Sequence, residues 1–326
     1  MSERHDMGEE REDLELAAVR EALDELRREI QVRFKGGSTG DGEGGRERVP
    51  YEELFDELRR RVASFGMSER SGEVDEFGMD EAVLARARSV LDFLFDRYWR
   101  VDLGGIEQLP DQGPVLLVAN RSGLLPYDGL MLAHCVERFR GDLGRPRFTV
   151  ADWLVTLPFA QATLARVGGV RACRENVERL LGSGHSVVVF PEGVKGAAKV
   201  FRDRYRLQRF GRGGVIRLAI ESGVPLVPVG IVGAEEAHPI LFKWVPPGRP
   251  LPFLPVTPTF PWLGPLGMLP LPTQWVIRVG APVDLAGLGA DAARDELLLS
   301  RLTEDLRAEI QALVDGGLAA RESVWG

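Results

Sequence analysis

Polar residues able to do acid–base or anion-binding chemistry directly follow a short apolar run, Val115–Val118. These residues are Asn120, Arg121, Ser122, Gly123 and, a little farther on, Asp128. An uncharged run of this length, rich in β-branched residues, is typical of a strand buried on both faces of a parallel sheet. In open α/β sheets ligands bind at the carboxyl ends of such strands. We therefore expect a site in this loop; an ordinary strand-to-helix connection is the other interpretation.

A second stretch repeats this arrangement. The apolar run Val187–Phe190 ends in Pro191, Glu192 and Gly193. A glycine lets backbone N–H groups approach a ligand closely, and such groups can hold an oxyanion or a phosphate. Residues 195–217 then carry eight basic side chains and one acid. They indicate a solvated basic surface, or a binding site for the phosphates of a nucleotide-bearing donor or of lipid headgroups. Nucleic acid is not an expected partner, because no recognised nucleic-acid module surrounds them.

Apolar runs and helical patterns alternate from Tyr98 onward, which predicts an α/β fold with a mostly parallel central sheet flanked by helices. The predicted strands are Val115–Val118, Phe148–Val150, Val187–Phe190, Leu226–Ile231 and Trp275–Val279. The predicted helices are Asp80–Arg97, Gly129–Arg140, Glu175–Leu181, Gly213–Ser222 and Ala292–Val314. We assign residues 77–290 to the α/β domain and residues 291–326 to a C-terminal helix packed on the core.

The first 76 residues differ from the rest in charge. Residues 1–80 hold 23 acidic and 13 basic side chains, against 26 and 28 in the remainder. Amphipathic patterns over 9–34 and 50–66 predict two helices joined by a Gly-rich linker at 35–46. We interpret 1–76 as a helical extension that regulates the protein or joins copies into a homo-oligomer, or as a surface extension with no specific role. The charged N-terminus lacks an apolar signal region, which predicts a cytoplasmic protein.

Residues 250–277 contain no charge and eight prolines. Prolines exclude a continuous membrane-spanning helix, and extended backbone cannot lie in lipid without hydrogen-bond partners. The segment either covers the core, or its aromatic residues Phe253, Phe260 and Trp262 touch a membrane surface or line an acyl channel. The only cysteines, Cys135 and Cys173, lack metal-ligand spacing, so no metal site is predicted.

Five blocks of the sequence resemble the glycerolipid (lysophospholipid) acyltransferase superfamily, and most of all its bacterial branch related to mono- and diacylglycerol acyltransferases. The blocks follow the family order between Phe77 and Val283, each at the end of a predicted element. They lie within 120–128, 168–176, 190–193, 204–214 and 224–229. The resemblance implies transfer of an acyl group from a thioester, either acyl-CoA or acyl carrier protein, to a glycerolipid hydroxyl, with no further cofactor.

The family mechanism implies a His that removes the hydroxyl proton and an Asp that orients it. In the branch that this chain resembles, six residues separate the two, as between Arg121 and Asp128 here. Arg121 therefore occupies the histidine position. A guanidinium stays protonated near neutral pH, so it cannot be a general base. It would more naturally pair with Asp128 or hold an anion.

The resemblance implies two sets of site residues. The catalytic set is Asp128, Arg121, Glu192 and Gly193. The substrate-binding set is Asn120, Ser122, Gly123, Arg174, Pro191, Lys195, Lys199, Arg204 and Tyr205. We expect His134, His185 and His238 to be structural or exposed and not to replace the missing base.

Two functions stay open. The chain is either an acyltransferase in which Arg121 alters the mechanism or the substrate, or a catalytically impaired relative. The impaired relative would bind lipid or acyl thioester as a regulatory or scaffold protein. A general base contributes about 100- to 10,000-fold in rate, so its loss would cripple the chemistry and spare binding. In either case we expect peripheral contact with the inner face of the cell membrane. A serine esterase is not indicated, because no Gly-x-Ser-x-Gly motif is present.

Overall fold

A computed structural model describes most of the chain from residue 74 onward. The described residues are 53, 54, 57, 74–123, 125–155, 160–245, 253–262, 267, 269–285 and 287–325. The helix predicted over 9–34 and the linker 35–46 lie outside them. Of the helix predicted over 50–66, the described residues Glu53, Leu54 and Glu57 are helical.

A seven-stranded sheet forms the centre of the fold, in the order β1-β9-β6-β2-β5-β3-β4. All neighbouring strands are parallel except β6 and β9, which are antiparallel. The predicted mostly parallel sheet is therefore confirmed. The strands are β1 Asp102–Gly104, β2 Leu116–Ala119, β3 Arg147–Val150, β4 Gly169–Arg171, β5 Val187–Val189, β6 Leu226–Val232 and β9 Val276–Val279; β7 Phe242–Trp244 and β8 Leu254–Val256 form a separate antiparallel pair.

Helices cover both faces of this sheet. They are α1 Glu81–Phe93, α2 Tyr127–Phe139, α3 Asp152–Val155, α4 Ala160–Arg166, α5 Arg174–Gly182, α6 Gly193–Ala197, α7 Gly214–Ser222, α8 Ala234–Ala237 and α9 Glu296–Ala320. A π-helical turn, Leu94–Tyr98, continues α1. The Asp80 side chain caps α1 by accepting hydrogen bonds from the N–H groups of Ala82 and Val83.

Alternation along the central strands divides the core into two layers. Leu117 of β2 packs with α1, α2 and the stacked rings of Trp99 and Trp275, whose centroids are 4.2 Å apart. Leu116 and Val118 point to the opposite layer, which α5, α7 and α9 cover. Each strand is buried on both faces, which explains why its sequence is an unbroken apolar run.

The long helix α9 lies directly against β6. Leu306, Ile310 and Val314 are buried in the second layer. A Cβ on Gly230 of β6 would lie 2.7 Å from the Cβ of Leu313, so only glycine allows this approach. The helix begins at Glu296 because Asp295 caps it, and residues 290–294 form a 3-10 turn in place of the predicted α-helical start at Ala292.

Candidate functional site

Three loops meet where β6, β2 and β5 end, because these strands are parallel neighbours in the sheet. Asn120 follows β2, Glu192 follows β5 and Glu235 follows β6. Asn120 joins the loop after β2 to strand β6: its Nδ2 donates to the Ile231 carbonyl at 2.9 Å, and its Oδ1 accepts from the Ile231 N–H at 2.7 Å. This carboxyl edge is the expected position for a ligand site in an open α/β sheet.

Arg121 and Asp128 form a buried ion pair at this edge. The Arg121 Nη1 lies 2.7 Å from the Asp128 Oδ1, and the exposed fractions of the side chains are 5% and 0%. The Arg121 guanidinium also lies over the Phe190 ring, 4.9 Å from its centroid. Arg121 therefore pairs with Asp128, as the sequence predicts, and this cation occupies the position where the family resemblance implies an imidazole.

Backbone donors complete the surroundings of Asp128. Its Oδ2 accepts from the Ser122 N–H at 2.9 Å, and its Oδ1 accepts from the Gly129 N–H at 2.8 Å. Burial raises the pKa of Asp128, and the Arg121 guanidinium and the backbone N–H groups oppose that rise. Arg121 therefore helps to keep the buried carboxyl charged.

Glu192 links the loops that follow β2 and β5. Its Oε1 accepts from the Arg121 N–H at 2.8 Å, and its Oε2 accepts from the Gln208 N–H at 2.6 Å. Gly196 lies so close that an added Cβ would be 2.6 Å from the Glu192 Cβ and 2.8 Å from the Arg121 Cβ. These contacts use both carboxylate oxygens, so Glu192 fixes the loop that carries Arg121.

Lys199 joins Glu192 to the loop after β6. Its Nζ lies 2.8 Å from the Glu235 Oε1 and 3.5 Å from the Glu192 Oε2. Burial alone lowers the pKa of Lys199, but the two carboxylates outweigh it and the net pKa is raised. Lys199 therefore stays protonated and compensates two buried carboxylates. Glu235 was not among the predicted site residues, although an acidic residue shortly after a fully buried strand indicates a buried charge that has a partner of opposite charge.

Tyr205 belongs to the same network. Its N–H donates to the Glu235 Oε2 at 3.1 Å, and its hydroxyl accepts from the Gly233 N–H at 3.0 Å. Tyr205 and Lys199 are 7% and 8% exposed, so they support the loops from inside the protein.

The other predicted site residues lie in different surroundings. Ser122 is buried, and Gly123 adopts a φ of 82°. Lys195 and Gly193 are exposed at the start of α6. Arg204 lies over the Phe201 ring and 3.8 Å from Glu236, whereas Arg174 is half-exposed and paired with Glu178 and Glu221.

An apolar groove lies in the layer that α5, α7 and α9 cover. Its cavity volume is about 370 Å³, which lies in the usual range for small-molecule sites. Phe190 both lines this groove and contacts the Arg121 guanidinium, so this one side chain connects the groove to the ion pair. Its walls come from β5, α5, α7, α9 and the Gly-rich loop after Phe210; predicted site residues among them are Arg174 and Pro191.

None of the histidines described by the structure is placed as a partner of Asp128. The His134 Nε2 lies 3.1 Å from the Asp92 Oδ1, between α1 and α2. His185 precedes β5, at the opposite end of that strand from Phe190. His238 stacks on the Tyr127 ring, with centroids 5.6 Å apart. Burial raises the pKa of Tyr127 to about 12, so its hydroxyl stays protonated at neutral pH.

Two further findings concern the described residues only. They contain no group of three or more His, Cys, Asp or Glu side chains that could hold a metal ion. Among their helices, none combines the length and the apolar character needed to cross a membrane.

Comparisons with known proteins point to one family. Residues 100–232 match the Acyltransferase family. An uncharacterized protein of Mycobacterium tuberculosis (strain ATCC 25618 / H37Rv) is 38% identical over 316 residues, which cover 95% of this chain and 85% of that protein. An uncharacterized protein of Mycobacterium leprae (strain TN) is 39% identical over 316 residues, covering 95% of this chain and 84% of that protein.

Among solved structures, this chain is similar to the 1-acyl-sn-glycerophosphate (LPA) acyltransferase PlsC from Thermotoga maritima. The TM-score is 0.46 at 17% identity, and the match covers 84% of this chain and 98% of that chain. The matched residues 100–232 include the strands and loops that build the Arg121–Asp128 site, and they form an acyltransferase domain. Residues 100–232 belong to the acyltransferase family, which confirms the superfamily that the motifs of this chain resemble.

Proposed function

We propose that this chain transfers a fatty acyl group from a thioester, acyl-CoA or acyl carrier protein, to the hydroxyl of a glycerolipid at a membrane surface. The observation that carries the proposal is the apolar groove whose lining residue Phe190 contacts Arg121 of the buried Arg121–Asp128 pair. The groove offers apolar surface to an acyl chain, and Arg121, which contacts Phe190 of its lining, offers positive charge to the reacting carbonyl. A monoacylglycerol or diacylglycerol is the acceptor that the branch resemblance favours.

The reaction balances without a histidine. A new C–O bond forms between the acceptor hydroxyl and the acyl carbon, the C–S bond breaks, and the hydroxyl proton leaves with the departing sulfur as a thiol. A thiol has a pKa near 8.5, against about 6.5 for imidazole, so the departing thiolate is itself a competent proton acceptor. Arg121 supplies positive charge beside the groove, where negative charge develops on the carbonyl oxygen.

The second candidate function is binding without catalysis. This candidate is supported by the ion pair, because Arg121 binds the Asp128 carboxylate that would otherwise orient a base. In that case the groove would hold a lipid or an acyl thioester and the chain would act as a regulatory or scaffold protein.

Thiol release from acyl-CoA and from acyl carrier protein tests the proposal. The purified full chain is offered lysophosphatidate, monoacylglycerol or diacylglycerol as acceptor. We expect acceptor-dependent thiol release with at least one pair. Ligand-dependent stabilisation without thiol release from any pair would support the second candidate and contradict the first.

A variant that narrows the groove locates the acyl chain. A Cβ on Gly214 meets no atom within 4 Å, so Gly214→Phe places a ring in open space beside the groove lining. We expect kcat/KM for a long-chain thioester to fall by at least about tenfold, with a short-chain thioester affected little. Gly182→Phe is the matched control, because Gly182 is equally open but outside the groove lining. Equal effects of the two variants would contradict this location.

A further inference from the structure

Exposed apolar side chains concentrate in one part of the described chain. Phe242, Trp244 and Val245 are 40%, 53% and 65% exposed, and Trp262 is 76% exposed. We call these four residues the aromatic patch. The other large apolar side chains that are exposed among the described residues are isolated: Val74, Phe139, Val194 and Leu297. Single exposed apolar residues are ordinary, whereas a group of this kind marks an interaction surface.

The patch belongs to a segment that leaves and rejoins the core at the carboxyl edge of the sheet. The Phe201 N–H donates to the Ile240 carbonyl at 2.8 Å just before β7, and the Leu271 N–H donates to the Ala237 carbonyl of α8 at 2.8 Å. Pairing of β7 with β8 holds Phe242 and Trp244 on a short antiparallel ribbon. The patch is therefore tied to the same edge that carries the loops of the candidate site.

Basic side chains lie beside the patch. Arg202, Arg204, Arg206 and Arg209 are exposed in the segment that begins at Phe201, and Asp203 is the single acid among them. Lys243 lies within β7 itself. The run 250–277, which contains the partner strand β8, has no charged residue. Tryptophans with apolar rings and polar N–H groups, rimmed by arginines, match the boundary between acyl chains and anionic headgroups.

We propose that the aromatic patch and its arginine rim bind the surface of an anionic lipid bilayer. The chemistry of the occupant follows from three observations: exposed indole rings, four exposed arginines in the segment that begins at Phe201, and the absence of acidic residues across 250–277. The inference deepens the proposed function, because it brings the acceptor lipid to the edge of the sheet where Arg121 and Asp128 lie. It names the surface and the lipid charge, neither of which follows from acyl transfer itself.

Vesicle flotation of the full chain tests this assignment. The probes are vesicles of phosphatidylcholine alone and of phosphatidylcholine mixed with phosphatidylglycerol. We expect wild type to float with the mixed vesicles, and Trp244→Ser/Trp262→Ser to bind them at least about tenfold more weakly. Leu297→Ser is the matched control, since Leu297 is 86% exposed on α9 but outside the patch, and we expect it to bind like wild type.

Charge reversal separates the two parts of the surface. In Arg202→Glu/Arg206→Glu, the affinity for vesicles that contain phosphatidylglycerol should fall by about fivefold for each arginine at low salt. The preference for phosphatidylglycerol should thereby be lost, while the weak binding to phosphatidylcholine should stay. Wild type that floats with neither vesicle, or a tryptophan double variant that binds like wild type, would overturn the proposal. An unchanged preference for phosphatidylglycerol in Arg202→Glu/Arg206→Glu would also overturn the proposal.

The result stays distinct from the test of catalysis. Thiol release with an acceptor dispersed in detergent micelles does not need the bilayer, so the tryptophan double variant should retain wild-type turnover there. Vesicle binding without any turnover would leave the surface assignment intact and contradict the proposed acyl transfer. Turnover in micelles without vesicle binding would support the proposed acyl transfer and contradict the surface assignment.

Discussion

Two segments at the same edge of the sheet differ in what they expose to solvent. The loops after β2, β5 and β6 bury Arg121, Asp128, Glu192, Lys199 and Glu235, each within hydrogen-bond or ion-pair distance of a partner. The ribbon of β7 and β8 does the reverse: it exposes aromatic rings and carries little charge. Buried charges are tolerated only with complete sets of partners, whereas exposed rings depend on no neighbour. Substitutions should therefore be costly for folding in the first region and nearly neutral in the second.

The largest expected effect comes from removing the shared cation. Lys199→Met leaves the buried carboxylates of Glu192 and Glu235 without their positive partner, which should lower the free energy of unfolding by about 3–5 kcal/mol. Urea unfolding measures this loss. Adding Glu235→Gln to the same variant should recover part of it, because one uncompensated charge is then gone. If Lys199→Met lowers the free energy of unfolding by no more than an ordinary surface substitution does, Lys199 does not hold the network together.

A smaller effect should follow from crowding the same loops. Gly196→Ala brings a methyl group to 2.6 Å from the Glu192 Cβ and 2.8 Å from the Arg121 Cβ. Overpacking of this kind costs about 1–3 kcal/mol, and the shift should also reduce turnover because the loop carries Arg121. Gly182→Ala is the control, since a Cβ there meets no atom within 4 Å. If both variants unfold at the same urea concentration, the loop is less tightly packed than these distances indicate.

The smallest effect belongs to the aromatic patch. Trp244→Ser/Trp262→Ser removes two side chains that are 53% and 76% exposed, so the free energy of unfolding should change by no more than about 0.5 kcal/mol for each substitution. Thermal and urea unfolding without lipid give this value. Destabilisation as large as that of Lys199→Met would mean that the rings are part of the core and would remove the contrast between the two regions.

The sequence reveals the central strands because they are buried on both faces and therefore read as uninterrupted apolar runs. The strands β1 and β4 were not predicted: each has three residues, including a glycine and a charged residue, and each is held by pairing with its neighbour. Their formation depends on the assembled sheet, which no local pattern contains.

The candidate site also has one part that the sequence predicts and one part that it does not. The pairing of Arg121 with Asp128 could be predicted because only six residues separate the two, which is the spacing that the family resemblance implies. The burial of Lys199 and Tyr205 could not, because it depends on the loop after β6 folding over them and supplying Glu235. A basic residue in a basic segment is usually solvated, and only the tertiary structure reveals an exception.

The central claim is that the site at Arg121 transfers acyl groups without a histidine base. The most direct test measures acceptor-dependent thiol release between about pH 5.5 and 8 for wild type and for Arg121→His. We expect wild type to turn over with no loss of rate that follows an ionisation near pH 6.5, and Arg121→His to acquire one. Wild type that shows this ionisation would reveal another histidine as the base. Turnover by Arg121→His alone would mean that the natural chain binds its ligands without transforming them.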